Sequence, residues 1–513
     1  MTPGAPLTNA YTASALEIRR MDGLKAGGRT LASFSVSDVP YPEVLNPILA
    51  SYYMPLALTG SAMYRTAYFS FLRLRMAWRR YFAAGVPRPA AARAALRPTG
   101  GRRRVLFLNF WENHYTQLFS SLETLPAYRD GFSTVLAGLR SREGDVQQLG
   151  VYDYFPGEAP EYKTAAAEGA RALSDFERAA LAEPGLTTEE KRIRAAYFKL
   201  LARSIFYEFP AFSDLWRSAD ALLAEVKPAL VCAADFCDIR CRAFFLLARR
   251  RGIPTLVLQQ GLVSEAQSEF FFPVTDRVAL WDDDSLRLLA GMGLSGKDFQ
   301  VTGNPGYDKY FATAAGPAGP RRMILFVSQP HHRHGLPKAK MDRMKIAALG
   351  ALASLKGYEI VIKPHPDEPA AFFEKLISVE GWKEFTLLQP GADTGAYIAR
   401  AFALVGFYST ALIEGILSGK PVAVFDDEGD FDRFASYRKD GAAFGAASPQ
   451  ELAGFFRAYD EDPALRESLA KGRAAFIARR VGRFDGKAAE RFFEIMSGLA
   501  GPPPGRQGEQ RSL

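Results

Sequence analysis

Two short segments in the second half of the chain combine residue types that bind phosphate. The first, Ile360–Glu368 (IVIKPHPDE), is an apolar run of strand length that delivers Lys363 and His365 to its carboxyl end. Pro364 and Pro366 bracket the histidine with two residues of fixed φ, which stiffens the backbone that carries the imidazole. The second, Val405–Val424 (VGFYSTALIEGILSGKPVAV), reads as a buried strand ending at Phe407, followed by a helix that opens at Ser409 and Thr410. Hydroxyls and the free N–H groups of a first helical turn make an anion site, and the helix dipole favours it further. Plain N-capping by either residue is the competing reading. Glu414, one turn deeper, is placed to accept from a ribose or sugar hydroxyl. Roughly 45 residues separate His365 from Ser409, the length of one or two strand–helix units, so both can face one phosphate.

Three further groups compete for chemical roles. Ser328–His334 (SQPHHRH) follows a strand, and its Gln329, histidines and Arg333 suit contact with a diphosphate, or an ordinary polar loop. A metal is not expected there, because adjacent histidines point in different directions and no carboxylate lies beside them. Asp282-Asp283-Asp284 precedes SLRLL and reads as helix capping rather than a divalent-ion site. For a general base, Asp235 at the end of ALVCAAD is the first candidate, with Glu112 and His114 after the strand VLFLNF second. Asp235 equally suits capping of the next helix.

These residues need strands and helices to hold them, and the chain has them in alternation. Buried strand-length runs at 105–110, 229–234, 253–258, 277–281 and 299–301 alternate with helical stretches, and Thr187-Thr188-Glu189-Glu190 marks a helix start inside the helical segment 164–205. After a small-residue linker (ATAAGPAGP) the rhythm restarts at 323–327, 359–362, 385–388, 403–405 and 421–425. Continuous apolar strands separated by helices mean parallel sheets. The expectation is an α/β protein with two Rossmann-like domains, 101–311 and 321–500, facing across a cleft, with ligands at the carboxyl ends of the strands. Residues 1–100 form a basic helical N-terminal extension, and 501–513 a disordered tail.

Composition narrows the class. With 513 residues, 48% hydrophobic and 23% charged, the chain is too long for one core and is neither disordered nor polytopic. The net charge of +8 is uneven: residues 1–104 hold 15 Lys+Arg against 4 Asp+Glu, a net of +11, leaving −3 for the rest. That distribution does not suit a nucleic-acid groove. Within the extension, Val44–Tyr64 is uncharged but broken by Pro47 and Pro55, a poor spanning helix. Ala62–Phe82 mixes aromatics with Arg65, Arg73, Arg75, Arg79 and Arg80, which suits either an anionic membrane surface or a helix packed on the core. Three cysteines in ten residues argue against disulfides and zinc, and no signal peptide is visible, so a cytoplasmic protein peripheral to the inner membrane is expected.

KPHP followed by a strand–YST–helix–GKPV segment resembles the carboxyl-terminal half of GT-B glycosyltransferases, and more narrowly the capsule and lipopolysaccharide group that includes bacterial sialyltransferases and Kdo transferases. The resemblance implies that His365 with Pro366, and Ser409 with Thr410, hold the phosphate and ribose of a CMP-sugar. Gly303-Asn304-Pro305 is similar to the GNP segment leading into the second domain of these enzymes. GIPTLVLQQG (Gly252–Gly261) resembles their GIP…QHG segment, with Gln260 where a histidine is usual. An acidic pair followed by Gly is matched only partly by Asp235 and Asp238. The expected nucleotide-binding set is therefore Lys363, His365, Pro366, Ser409, Thr410, Glu414, Gln329, Gly303 and Asn304, with no resident cofactor or metal. The implied activity is inverting transfer of a sugar from a CMP-activated acidic donor onto a cell-surface polysaccharide or lipopolysaccharide. Alternatives are a CDP-glycerol-type polyol-phosphate transferase, a UDP-sugar transferase and a non-catalytic scaffold. A nucleotide-sugar epimerase fits less well, since denser paired carboxylates are missing.

Overall fold

The computed structural model describes residues 6–50, 54, 95–111, 114–156, 161–235, 237–263, 268–294, 296, 298–312, 322–330, 338–365, 368–389, 392–429 and 437–501. The chain divides into two compact units: Met1–Leu280 with Leu286–Gln300 and Phe492–Leu513, and Trp281–Ser285 with Val301–Arg491. Each is built around its own parallel sheet.

The first unit begins with helices α1 (Pro6–Arg20) and α2 (Tyr41–Ile48). Its sheet follows, with β1 (Arg103–Leu108), β2 (Phe132–Gly138) and β3 (Gln147–Gly150). Two long helices, α3 (Tyr162–Ala182) and α4 (Thr188–Val226), precede β4 (Leu230–Ala233). Then come α5 (Ile239–Arg250), β5 (Thr255–Leu258), β6 (Arg277–Leu280) and β7 (Phe299–Val301). The strand order is β3-β2-β1-β4-β5-β6-β7. In register, Leu106 sits between Val135 and Val231, all three buried. The helical stretch 164–205 holds two helices, parted at Glu183-Pro184-Gly185, where Gly185 takes φ +80°, and the second starts at the expected Thr187. Thr187 opens the second helix with a capping box: it accepts from the Glu190 N–H at 3.2 Å and its own N–H donates to Glu190 at 2.8 Å.

The first fifty residues correct the reading of a basic appendage. Tyr41 is fully buried and packs edge-on against Phe212 at 5.7 Å. Glu17, 2% exposed, accepts from the buried Arg194 of α4 at 2.6 Å, and Asn46 accepts from Tyr197 at 2.9 Å. Arg242 of α5, buried to 1%, donates to the carbonyls of Glu43 and Phe272. These contacts make α1 and α2 part of the first unit's core. Residues 55–94, which contain the aromatic–arginine stretch, lie outside the described residues, as does 502–513.

The second unit contains α6 (Asp308–Ala312), β8 (Arg322–Val327), α7 (Lys338–Ala353), β9 (Tyr358–Lys363), α8 (Ala370–Glu380) and β10 (Phe385–Leu387). It continues with α9 (Thr394–Arg400), β11 (Ala403–Gly406), α10 (Thr410–Leu417), β12 (Val422–Phe425) and β13 (Phe444–Ala446). Helices α11 (Pro449–Glu461) and α12 (Pro463–Arg480) follow, and α13 (Ala488–Ala500) starts in this unit and runs into the segment from Phe492 that belongs to the first. The strand order, β10-β9-β8-β11-β12-β13, repeats the Rossmann order of the first unit's strands β3-β2-β1-β4-β5-β6. Both faces are covered, and Ile324, Phe326, Ile360, Ile362, Val405 and Phe425 belong to one apolar core with Met344, Leu352 and Phe373. Two Rossmann-like parallel sheets thus follow one another along the chain, the architecture expected from the sequence. Among the described residues no helix is long and apolar enough to cross a membrane.

Candidate functional site

In the second unit the strand order reverses at β8, whose neighbours β9 and β11 lie on opposite sides. The carboxyl ends of these three strands are therefore the place where an open parallel sheet leaves room for a ligand. Chain continuity brings Ser328 and Gln329 there from β8, Lys363 and His365 from β9, and Ser409 and Thr410 from β11. The strands that carry His365 and Ser409 flank β8, so their ends are two strand spacings apart, about 10 Å.

Each of these residues is held in its own way. Ser409, 7% exposed, caps α10 by accepting from the Ala411 N–H at 3.3 Å, so the capping reading is realised. Its carbonyl accepts from the buried Tyr437 hydroxyl at 3.1 Å, while Thr410 is exposed at the helix start. A Cβ on Gly406, the last residue of β11, would meet the Val327 carbonyl at 2.9 Å, so the two strands close up tightly just before the site. The Gln329 Oε1 is buried with no hydrogen-bond partner among the described residues. An unpaired carbonyl oxygen suits a ribose hydroxyl or a base amino group, and not a phosphate oxygen. Lys363 Nζ donates to the Pro364 carbonyl at 3.3 Å. Burial lowers the Lys363 pKa, against the pull of Glu414 and Glu368.

Glu414 departs from the expectation of an open sugar ligand. Its buried carboxyl accepts from the Tyr310 hydroxyl of α6. Burial raises its pKa, while the Tyr310 hydrogen bond, Lys309 and Lys363 oppose the rise. Gly303 and Asn304 are likewise engaged in the fold. Gly303 takes φ +84°, with Ala488 2.9 Å from where its Cβ would stand; Asn304, 2% exposed, accepts from the Gly306 N–H. The GNPGYD segment thus makes a buried turn, and its Asp308 accepts from the N–H groups of Ala488 and Ala489 at the start of α13.

Glu368 was given no role by the sequence, yet it organises this corner. Its carboxylate accepts from the His365 N–H at 2.9 Å, from the Ser328 hydroxyl at 3.0 Å and from the Lys345 ammonium of α7. The signal was there in KPHPDE: a carboxylate three residues after the histidine can turn back onto its backbone N–H.

A second polar cluster lies at the carboxyl ends of β1, β4 and β5 in the first unit. Asp235 Oδ1 accepts from the N–H groups of Cys237 and Asp238 at 2.8 and 3.0 Å. Asp238, not Asp235, caps α5, accepting from the Arg240 N–H at 2.8 Å and pairing with its guanidinium. Burial first, and the neighbouring Asp238 second, push the Asp235 pKa up to about 6. Arg240 lies over the rings of Phe110 and Trp111, at 5.0 and 5.5 Å from their centroids. His114 Nε2 sits 3.0 Å from the Gln260 amide nitrogen, and burial drops its pKa to about 4, leaving a neutral ring able to accept from that amide. Gln260, standing where the resembling family has histidine, therefore occupies this cluster all the same.

Several expected residues fall outside the description: Glu112, Pro366 and His331–His334. The triple aspartate behaves as structure, with Asp282 buried and accepting from the Ser285 N–H at 2.7 Å and hydroxyl at 2.8 Å. None of the three cysteines forms a disulfide. Among the described residues no group of three or more His, Cys, Asp or Glu side chains could hold a metal ion.

No protein-family model matches the chain, and no curated protein matches it. Solved structures do. The S. aureus MnaA–UDP structure is similar over 77% of this chain and 96% of its own, with 14% identity and a TM-score of 0.48. UDP-GlcNAc 2-epimerase from Neisseria meningitidis, bound to UDP-GlcNAc, is similar over 77% and 98%, with 15% identity and a TM-score of 0.46. The wall teichoic acid polymerase TagF is similar over 79% and 90%, with 10% identity and a TM-score of 0.46.

Proposed function

We propose that this chain is a nucleotide-sugar-dependent glycosyltransferase of the GT-B type. Its favoured donor is a CMP-activated acidic sugar, and its acceptor a cell-surface polysaccharide or lipopolysaccharide. The carrying observation is the gathering of Gln329, Lys363, His365 and Ser409 at the ends of three adjacent strands around the reversal of strand order. When the glycosidic bond to the donor phosphate breaks, negative charge develops on the phosphate. The Lys363 ammonium, a hydrogen bond from His365 and the N-terminus of α10 stabilise it without a metal. Gln329 then reads the ribose or base. Asp235 accepts the proton of the attacking hydroxyl, and inversion follows because attack and departure occur on opposite faces. The aromatic–arginine stretch 62–82 holds the enzyme at an anionic membrane where such acceptors are assembled.

The test is a thermal-shift panel of CMP, CDP, UDP and GDP with native protein and His365→Ala. A ligand at a hundredfold excess over its Kd stabilises by about 2.7 kcal/mol, several degrees for a unit of this size. CMP is expected to raise the melting temperature most, and His365→Ala to erase the shift. A response to CDP alone moves the reading to polyol-phosphate transfer, to UDP alone to a UDP-sugar donor. No response to any of the four refutes the site.

A further inference from the structure

We propose that Glu368 is a positioning residue, fixing the His365 backbone to the carboxyl end of β8 and so setting where the imidazole stands relative to Gln329. The inference rests on the reading of His365 as a donor-phosphate ligand. Its basis is a set of contacts that a carboxylate alone can satisfy. One oxygen accepts from the His365 N–H at 2.9 Å, and the Glu368 N–H donates back to the His365 carbonyl at 2.8 Å. The two residues thereby close a reciprocal ring. The other oxygen accepts from Ser328 Oγ, the residue directly before Gln329, at 3.0 Å, and from Lys345 Nζ. Three donors on three separate pieces of chain converge on one side chain. An amide, a hydroxyl or an ammonium would present at least one proton where a proton already points.

The contact with Lys345 explains how this is tolerated. The Glu368 and Lys345 side chains are 4% and 5% exposed. A lone carboxylate there would bear the full cost of lost hydration, and the ammonium offsets it. Yet a buried ion pair contributes little net stability compared with apolar residues of the same shape, and the Lys345 ammonium already lies 5.7 Å from the Phe372 ring. Stability alone therefore gives no reason for an ion pair at this place. Its distinctive product is geometric: it ties the loop after β9 to the end of β8, the two sides of the position where a phosphoryl group is to lie. Ordering that loop before ligand arrives removes an entropy cost from binding.

The test separates positioning from packing. Native protein, Glu368→Gln, the double variant Lys345→Met/Glu368→Leu, and His365→Ala are compared by titration calorimetry with CMP, by thermal melting, and by the NMR resonance of the His365 ring. The double variant is expected to melt close to the native protein, because an apolar pair replaces the ion pair. It should nevertheless bind CMP at least tenfold more weakly and lose the CMP-induced shift of the His365 ring. Glu368→Gln, which keeps the side-chain shape, should weaken CMP to a similar degree and covers the case in which the double variant does not fold. If His365→Ala weakens CMP while both Glu368 variants bind within twofold of native, positioning is refuted and the reading of the site survives. If His365→Ala leaves CMP binding unchanged, that reading falls and this inference falls with it.

Discussion

At the scale of single residues, the clearest handle is Asp235. Its folded pKa of about 6 lies above the ordinary carboxylate value of 3.8, with burial as the main cause. As a base it works only when ionised. The kcat/KM for sugar transfer should therefore climb with pH through about 6 and level off above it. Asp235→Asn should remove that limb and cost roughly a hundred- to ten-thousandfold in turnover, the range for a lost general base. Stability runs the other way. A carboxyl with a raised folded pKa binds its proton more readily when folded, so its contribution is present at low pH and is lost as pH rises from about 4 to 6. Asn keeps the oxygen that accepts from the Cys237 and Asp238 N–H groups and carries no charge to bury. The variant should accordingly melt at or above the native temperature at pH 8 while being inactive. A variant that is both inactive and much less stable would mark Asp235 as a structural carboxylate.

Elements were legible where burial was written in apolar residues, and opaque where polar groups are buried. The runs VLFLNF, ALVCAA and IVIK are strands at β1, β4 and β9, since a strand covered on both faces has no polar side. Strand β3 (Gln147–Gly150) escapes that logic: Gln147 and Gln148 are 4% and 8% exposed, bonded to Arg97, Ala95, Asn109 and Arg140 instead of water. Hydropathy cannot anticipate partners that distant in sequence. The same division runs through the candidate site. His365 and Ser409 sit on short motifs, while the links from Glu368 to Ser328 and Lys345, and from Glu414 to Tyr310, join segments distant in sequence. The N-terminal helices are the largest misreading, and they carry a prediction. The sequence expectation is that residues 1–100 can be deleted without loss of nucleotide binding. With Tyr41 and Glu17 in the core, deletion of residues 6–48 should instead give insoluble or unfolded protein. Tyr41→Ala alone should cost about 3–5 kcal/mol, as for other large buried aromatics, measured by denaturant unfolding. A cost below 1 kcal/mol would mean that this helix packs only loosely in solution.

For the molecule as a whole, charge divides the N-terminal hundred residues into two unlike parts. Residues 1–54 carry four basic and four acidic side chains, whereas residues 55–104 carry eleven arginines and no acid. Averaged over the first hundred positions, a neutral packed segment and a strongly cationic one look like a single basic arm. Only the second has the composition of a membrane-surface element. Near an anionic bilayer each Lys or Arg is worth about 1 kcal/mol. Replacing Arg65, Arg73, Arg75, Arg79 and Arg80 by glutamine should thus weaken binding to phosphatidylserine-containing vesicles by roughly a thousandfold or more. Native binding should fall as salt is raised toward 1 M, where the screening length shrinks to about 3 Å. Melting temperature and CMP affinity should stay as they are, since the contacts that tie the N-terminal helices to the first unit's core are made by Glu17, Tyr41 and Asn46. Vesicle binding that survives both the substitutions and high salt would place the membrane contact elsewhere, and leave the cationic stretch to be explained by an anionic glycan.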